Sequence, residues 1–147
     1  MKVFFLLLLL LGGVHDSYAQ NKVKWVMDFD SERDCLQVKG DIEKGWHLYS
    51  IKTDLNAGPI PVKIKTKKSK YFRTKNGFVE KYDAIKVFDA NFDSDVYIFE
   101  KKYFAEQKIK LKKEAFAEVT VTYMICNDQM CLPPIDKELS IKLNTDD

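Results

Sequence analysis

Hydrophobic and polar residues alternate with period two along much of the chain. Trp25, Met27 and Phe29 share one face of a strand whose other face carries Lys24 and Asp28. A polar turn, Asp30 to Asp34, leads to a second strand in which Leu36, Val38 and Ile42 alternate with Gln37, Lys39 and Asp41, so the two read as a hairpin. Trp46, Leu48 and then Ile51 follow Gly45, and Gly58-Pro59-Ile60-Pro61 punctuates a loop before Val62, Ile64 and Thr66. Val119, Val121, Tyr123 and Ile125 alternate with Thr120, Thr122 and Met124, and Leu139, Ile141 and Leu143 with Glu138, Ser140 and Lys142. These are largely the β-branched and aromatic types that suit a pleated, half-buried surface. No stretch has sustained helical periodicity with caps; Tyr97 to Gln107 fits either a short helical turn or a further strand. Short strands separated by turn signals predict an all-β, antiparallel sandwich in a single domain.

The first residues stand outside this pattern. Lys2 precedes an unbroken apolar run, Val3 to Leu11, which Gly12 and Gly13 interrupt before the small-residue stretch Ser17-Tyr18-Ala19. That order predicts a secretory signal peptide over residues 1–19, cleaved after Ala19, with the domain in 20–147. The run falls short of the ~20 apolar residues that span a bilayer, so no stable membrane insertion is expected. No cysteine sits at the cleavage point to take a lipid. The expected location is the periplasm or the secreted fraction.

Charge changes this picture little. Lys and Arg number 24 against 22 Asp and Glu, but Lys63 to Lys75 holds seven cations and no acid. Because its lysines alternate with Val62, Ile64 and Thr66, the run reads first as a solvated strand face, with lysines also guarding an edge against sheet-to-sheet pairing. Docking to an acidic partner is a second reading. Basic runs also attract nucleic acid, a partner that a secreted chain rarely meets, so no nucleic-acid partner is expected.

The chain has three cysteines, Cys35, Cys126 and Cys131. In an oxidising compartment an odd count leaves one thiol over, and the two five positions apart form the obvious pair. A strand runs into Cys126, a turn containing Asn127 and Asp128 follows, and Pro133-Pro134 comes after Cys131. Asn and Asp accept tight-turn backbone readily, and the prolines cannot donate to a full ladder. Spacing therefore predicts sulfurs joined across an irregular, exposed hairpin tip.

Closing a loop of about six residues removes only ~2 kcal/mol of unfolded-state entropy, against ~4.7 for one of 100. A short, turn-borne disulfide is also more open to thiolate attack. Spacing alone leaves a working disulfide and a structural staple both open. The spacing is neither the C-x-x-C of thioredoxin nor the C-x-x-C-H of haem attachment, and a structural zinc site needs four ligands, so neither metal nor cofactor is expected. A cysteine hydrolase would need His47 beside a thiol, and no local signature supports that. Strand alternation sets Cys35 opposite Leu36 and Val38, as an inert buried thiol if that face is covered.

The block Tyr123-Met124-Ile125-Cys126-Asn127-Asp128-Gln129-Met130-Cys131-Leu132-Pro133-Pro134, with Gly45-Trp46-His47-Leu48-Tyr49-Ser50 and Gly58-Pro59 upstream, resembles the N-terminal periplasmic domain of the thiol:disulfide interchange protein DsbD, from about Val23 to Leu143. The resemblance implies an immunoglobulin-like sandwich with protein thiol–disulfide oxidoreductase activity, relaying reducing equivalents between periplasmic proteins. It implies that Cys131 forms the mixed disulfide with partners and that Cys126 resolves it. It further implies a cap loop, by position Phe88 to Ser94, in which Phe92 shields the pair with Asp89 and Asp93 nearby, and it sets His47 and Tyr49 beside the cysteines. The implied partners are thioredoxin-like or disulfide-exchange proteins of the periplasm and a separate membrane electron donor.

Two departures qualify the likeness. Four residues separate the cysteines, one fewer than in the best-known members. The chain also ends at Asp147, without the membrane carrier and thioredoxin-like domain that follow in full-length DsbD, so its electrons are expected from another protein. The competing expectation is a secreted immunoglobulin-like binding domain whose hairpin disulfide is purely structural.

Overall fold

The computed structural model describes residues 22–144. The expected signal peptide, residues 1–19, lies outside them. Ten strands make up the fold: β1 (Val23–Asp30), β2 (Cys35–Ile42), β3 (His47–Tyr49), β4 (Lys63–Thr66), β5 (Phe72–Glu80), β6 (Ile85–Asp89), β7 (Ser94–Phe99), β8 (Lys102–Leu111), β9 (Ala115–Cys126) and β10 (Cys131–Leu143). A 3-10 turn, Leu55–Ala57, interrupts the β3–β4 connection. Among the described residues no helix is long and apolar enough to cross a membrane.

The strands form two antiparallel sheets, β1-β2-β8-β5 and β10-β9-β3-β7-β6, with β4 pairing on β9. This is the antiparallel sandwich expected from the alternation, of the immunoglobulin-like kind that the resemblance implies. The expected first hairpin forms, with Trp25 opposite Gly40 and Met27 opposite Val38. Its inward residues meet those of β8 and β9 in one core that includes Leu36, Val38, Tyr103, Val121, Tyr123 and Ile125. Trp25 lies edge-on to Tyr103 and Tyr123, with centroids 5.6 and 5.3 Å away, an arrangement that suits the ring quadrupoles.

Tyr97 to Gln107 resolves into the end of β7 and most of β8, joined at Glu100 and Lys101, rather than a helical turn. The alternating burial of Tyr103, Ala105 and Ile109 between exposed Lys102, Lys108 and Lys110 accounts for the strand. β5 and β6 each lie at the edge of a sheet.

Cys35 is a free thiol, 1% exposed. It stands opposite Lys108, on the outer face of its sheet. The Arg33 guanidinium, bonded to Asp30 and Glu106 at 2.7 Å each, ties together the same end of that face.

Candidate functional site

The longest hairpin, β9–β10, carries both site cysteines at its tip. Asn127 makes the turn: its Oδ1 accepts from the Gln129 and Met130 amides at 2.9 and 2.8 Å, and its own N–H donates to the Met130 carbonyl at 2.9 Å. Asn127 and Met130 thus form a hydrogen-bonded pair, and Cys126 and Cys131 occupy the next, non-hydrogen-bonded position, where facing residues approach most closely. Their Cα atoms are 4.0 Å apart and the sulfurs are bonded. Pro133 and Pro134 follow, and the ladder shifts register between Leu132 and Ile135, as the missing amide donors require.

β3 brings the upstream block alongside. His47 pairs with Cys126 across β3 and β9, so His47, Cys126 and Cys131 form one cross-strand row. Tyr49, two residues on, shares that face. Because Ile125 and Leu48 turn toward the core, the row lies on the outer face of its sheet.

The exposed tip expected from spacing is not what the fold provides for Cys126, whose exposure is 0%. The β6–β7 hairpin and the segment after β3 cover it. Tyr49, Ala57, Val96, Ile98 and Cys126 form a second buried cluster, and Phe92, Met124 and Cys131 pack against it. Cys131 is only partly buried. The covering ring is that of Phe92, perpendicular to Tyr49 at 6.1 Å between centroids, whereas Phe88 points outward, 63% exposed.

Phe92 can sit low because of Gly58. A Cβ on that residue would come within 2.5 Å of Phe92 Cδ1, and its φ of +108° lies in the left-handed region that only glycine enters at little cost. The segment bearing Gly58 is anchored to β7 by Thr53, whose hydroxyl donates to the Tyr97 carbonyl and accepts from the Tyr97 amide, both at 3.0 Å. The sequence marks Gly58 as loop punctuation and, with Pro59, as part of the family resemblance, but not as the seat of Phe92. The Gly-Pro pair was the available signal, but which side chain it admits depends on a contact 34 positions away.

A polar chain runs beside the apolar cover. Tyr49 donates to Asp89 Oδ2 at 2.6 Å, and His47 Nε2 lies 3.1 Å from the Tyr49 oxygen. The one hydroxyl proton is committed to Asp89, so His47 Nε2–H donates to Tyr49, and neutral His47 keeps Nδ1 bare. Burial, then the Asp89 carboxylate, pushes the Tyr49 pKa far above the ordinary phenol range. Burial also holds the His47 pKa below 6.5, outweighing the upward pull of Asp89, Asp128 and Glu100. Asp93 stays exposed on the cap with φ of +51°. Asp128 lines a cavity of about 370 Å³ together with His47, Asp89, Asn91 and Asn127.

The arrangement offers a bonded sulfur pair with unequal access, an aromatic cover over it, and a hydrogen-bond chain that ends on the cap. The profile of the family Thiol:disulfide interchange protein DsbD, N-terminal, matches residues 16–143. No curated protein matches the sequence. Among solved structures, the chain is similar to the reduced DsbD N-terminal domain of Neisseria meningitidis, at 17% identity and TM-score 0.58 over 82% of this chain and 86% of that one. It is similar to the complex of the DsbD and PilB N-terminal domains from the same organism, at 15% identity and TM-score 0.56 over 79% and 80%. The N-terminal periplasmic domain of ScsB from Proteus mirabilis follows at 15% identity and TM-score 0.54, over 83% of this chain and 45% of that one. These likenesses carry the fold, and the profile, spanning nearly all of the described residues, carries the family: the chain belongs to the DsbD N-terminal domains.

Proposed function

We propose that this protein is a periplasmic thiol–disulfide exchange module that relays reducing equivalents between proteins through Cys126 and Cys131. The observation that carries the reading is the unequal burial of the two sulfurs beneath Phe92: Cys126 is sealed, and Cys131 lies at the margin of the cover. Exchange requires in-line approach to one sulfur, and Cys131 is the reachable one.

To reduce this domain, a donor thiolate attacks Cys131 Sγ. The Cys126–Cys131 bond breaks, its electron pair leaves on Cys126, and a mixed disulfide joins Cys131 to the donor. A second donor thiol then releases Cys131, and the donor leaves as a disulfide. In the forward step, the Cys131 thiolate attacks the disulfide of an oxidised partner. Cys126 then attacks Cys131 Sγ, which restores the internal bond and frees the partner as a dithiol. Phe92 keeps small thiols away from the pair until a docking protein displaces the cap. His47 and Tyr49 hold Asp89, and with it the cap, closed in the absence of a partner.

Family membership supports thioredoxin-like or other disulfide-exchange partners, with a separate membrane protein as electron donor. A DsbD N-terminal domain of the same fold has been seen in complex with the PilB N-terminal domain. The apolar segment 3–11 supports export.

Cys126→Ser leaves a Cys131 thiol that forms mixed disulfides but cannot resolve them. It is expected to trap oxidised periplasmic thioredoxin-like proteins as covalent complexes, and Cys131→Ser is expected to trap none. Equal trapping by both variants, or by neither, overturns the assignment. A reduction potential below about −300 mV would mark the bond as a structural one.

A further inference from the structure

The outer face of the four-stranded sheet carries a charge pattern that the disulfide site does not use. At its edge, the β5–β8 register sets Arg73 directly opposite Lys110 and Lys75 directly opposite Lys108. Directly opposed side chains share a face, as do residues two apart on one strand. One rung further, the Lys112 amide donates to the Tyr71 carbonyl at 2.8 Å, and the ladder continues as a Tyr71–Lys112 pair. Three rungs therefore carry five cations, while the half-buried Tyr71 ring packs against the core cluster. Lys70 and Lys113 bring their ammonium groups to 5.1 and 4.4 Å from the centre of the Tyr71 ring. Among the described residues, none of these cations forms an ion pair with a carboxylate.

Like charges directly opposite one another destabilise a sheet. A single Glu in either rung would turn repulsion into a pair. Protection of a sheet edge accounts for cations on β5, but not for Lys108 and Lys110, which lie on the next strand in, between β5 and β2. Lys108 and Lys112 turn their ammonium groups onto the Arg33 and Lys70 carbonyls, and an anionic partner covering the face would relieve the repulsion that remains.

We propose that this ladder is a docking surface for an anionic phospholipid bilayer. The array is two strands wide on a sheet face, which matches a plane of headgroups and not a single polyanion lying in a groove. Long lysine stems reach outward from such a face, and each added cation strengthens attraction to an anionic leaflet. The disulfide row lies on the outer face of the other sheet. A domain seated on lipid through the β5–β8 face therefore presents its sulfurs away from the bilayer, open to a soluble partner.

The test uses the chain from Gln20 onward, which contains every strand and both buried clusters and omits the apolar segment 3–11. Sedimentation with phosphatidylglycerol-containing vesicles is compared with phosphatidylcholine alone, at about 50 and about 300 mM salt. The expected result is binding to the anionic vesicles at low salt, release at high salt, and none to phosphatidylcholine. Arg73→Glu with Lys75→Glu is expected to weaken binding roughly a hundredfold while melting a few degrees higher, about what two new cross-strand pairs give. The higher melting point excludes misfolding as the cause of lost binding. Failure of the unaltered chain to bind anionic vesicles at low salt, or equal binding by the variant, overturns the proposal. Retention on polyglutamate but not on vesicles also overturns it, in favour of an acidic protein.

Discussion

Tyr49 donates its hydroxyl proton to Asp89 at 2.6 Å, and this bond joins a central strand of the six-stranded sheet to the hairpin that covers the disulfide. Removing the hydroxyl leaves a buried carboxylate oxygen without its donor, at a cost of about 1–3 kcal/mol. Tyr49→Phe is accordingly expected to lower the urea midpoint by a corresponding amount. It should also speed reduction of Cys126–Cys131 by a small thiol severalfold. An unchanged reduction rate would separate this bond from control of the cap.

Gly58 and Phe92 form a second, apolar coupling. Gly58→Ala places a methyl group where the ring now lies and strains a left-handed backbone, together costing about 1–3 kcal/mol. The ring is expected to lift, exposing the disulfide to small thiols, and Phe92→Ala should expose it as well. Because both changes act through one contact, the double variant should be reduced little faster than either single one, a failure of additivity that a double-mutant cycle measures.

His47 makes stability depend on pH below about 6.5. Its folded pKa lies below the unfolded value of 6.5 because burial disfavours the imidazolium. Between those two values the unfolded chain binds more protons, so stability is complete above about 6.5 and declines as pH falls through the folded pKa. Urea midpoints at pH 7.5, 6.5 and 5.5 should show this decline, and His47→Gln should flatten it. The other histidine, His15, lies in the segment expected to be removed. A slope that survives His47→Gln would place the titrating group elsewhere.

Cys35 is expected to be silent toward alkylating reagents in the native protein and to label once on unfolding, since its side chain is 1% exposed. Cys35→Ala should leave exchange at Cys126–Cys131 unchanged. Mass spectrometry after labelling with and without denaturant reads both outcomes directly.

What was legible in the sequence follows from which strands have one face on the core. β1, β2, β9 and β10 alternate clearly because their inward residues, from Trp25 to Leu143, meet the opposite sheet. β5 escaped notice because after Phe72 its next five residues are exposed, and an edge strand with little to bury leaves no period to read. β6 escaped for the same reason, with Ile85, Lys86 and Phe88 all exposed. The expected cap, Phe88 to Ser94, is the tip of the β6–β7 hairpin, with residues 90–93 outside the strands.

At the site, spacing and turn chemistry were enough to pair Cys126 with Cys131. Their shelter was not legible from spacing, because it comes from Phe92, Tyr49 and Ala57, which converge only after the sheets have formed. Asp89 stands in the expected cap near Phe92, and the structure makes it the acceptor for Tyr49. Nothing in a local window marks a carboxylate as the partner of a phenol 40 positions earlier.

The cover over the sulfurs hangs from β6 and β7, the outermost pair of its sheet, and beside the packing of Phe92 one hydrogen bond among the described residues, Asn91 Nδ2 to the Asn127 carbonyl at 3.3 Å, joins its tip to the cysteine hairpin. The pairing of β9 with β10, β3 and β4 does not involve this flap, so the scaffold that aligns the two sulfurs is built without it. On the proposed function, guarding falls to β6 and β7 and aligning to β9 and β10, so changes in the flap's length or sequence would leave the sulfur geometry as it is.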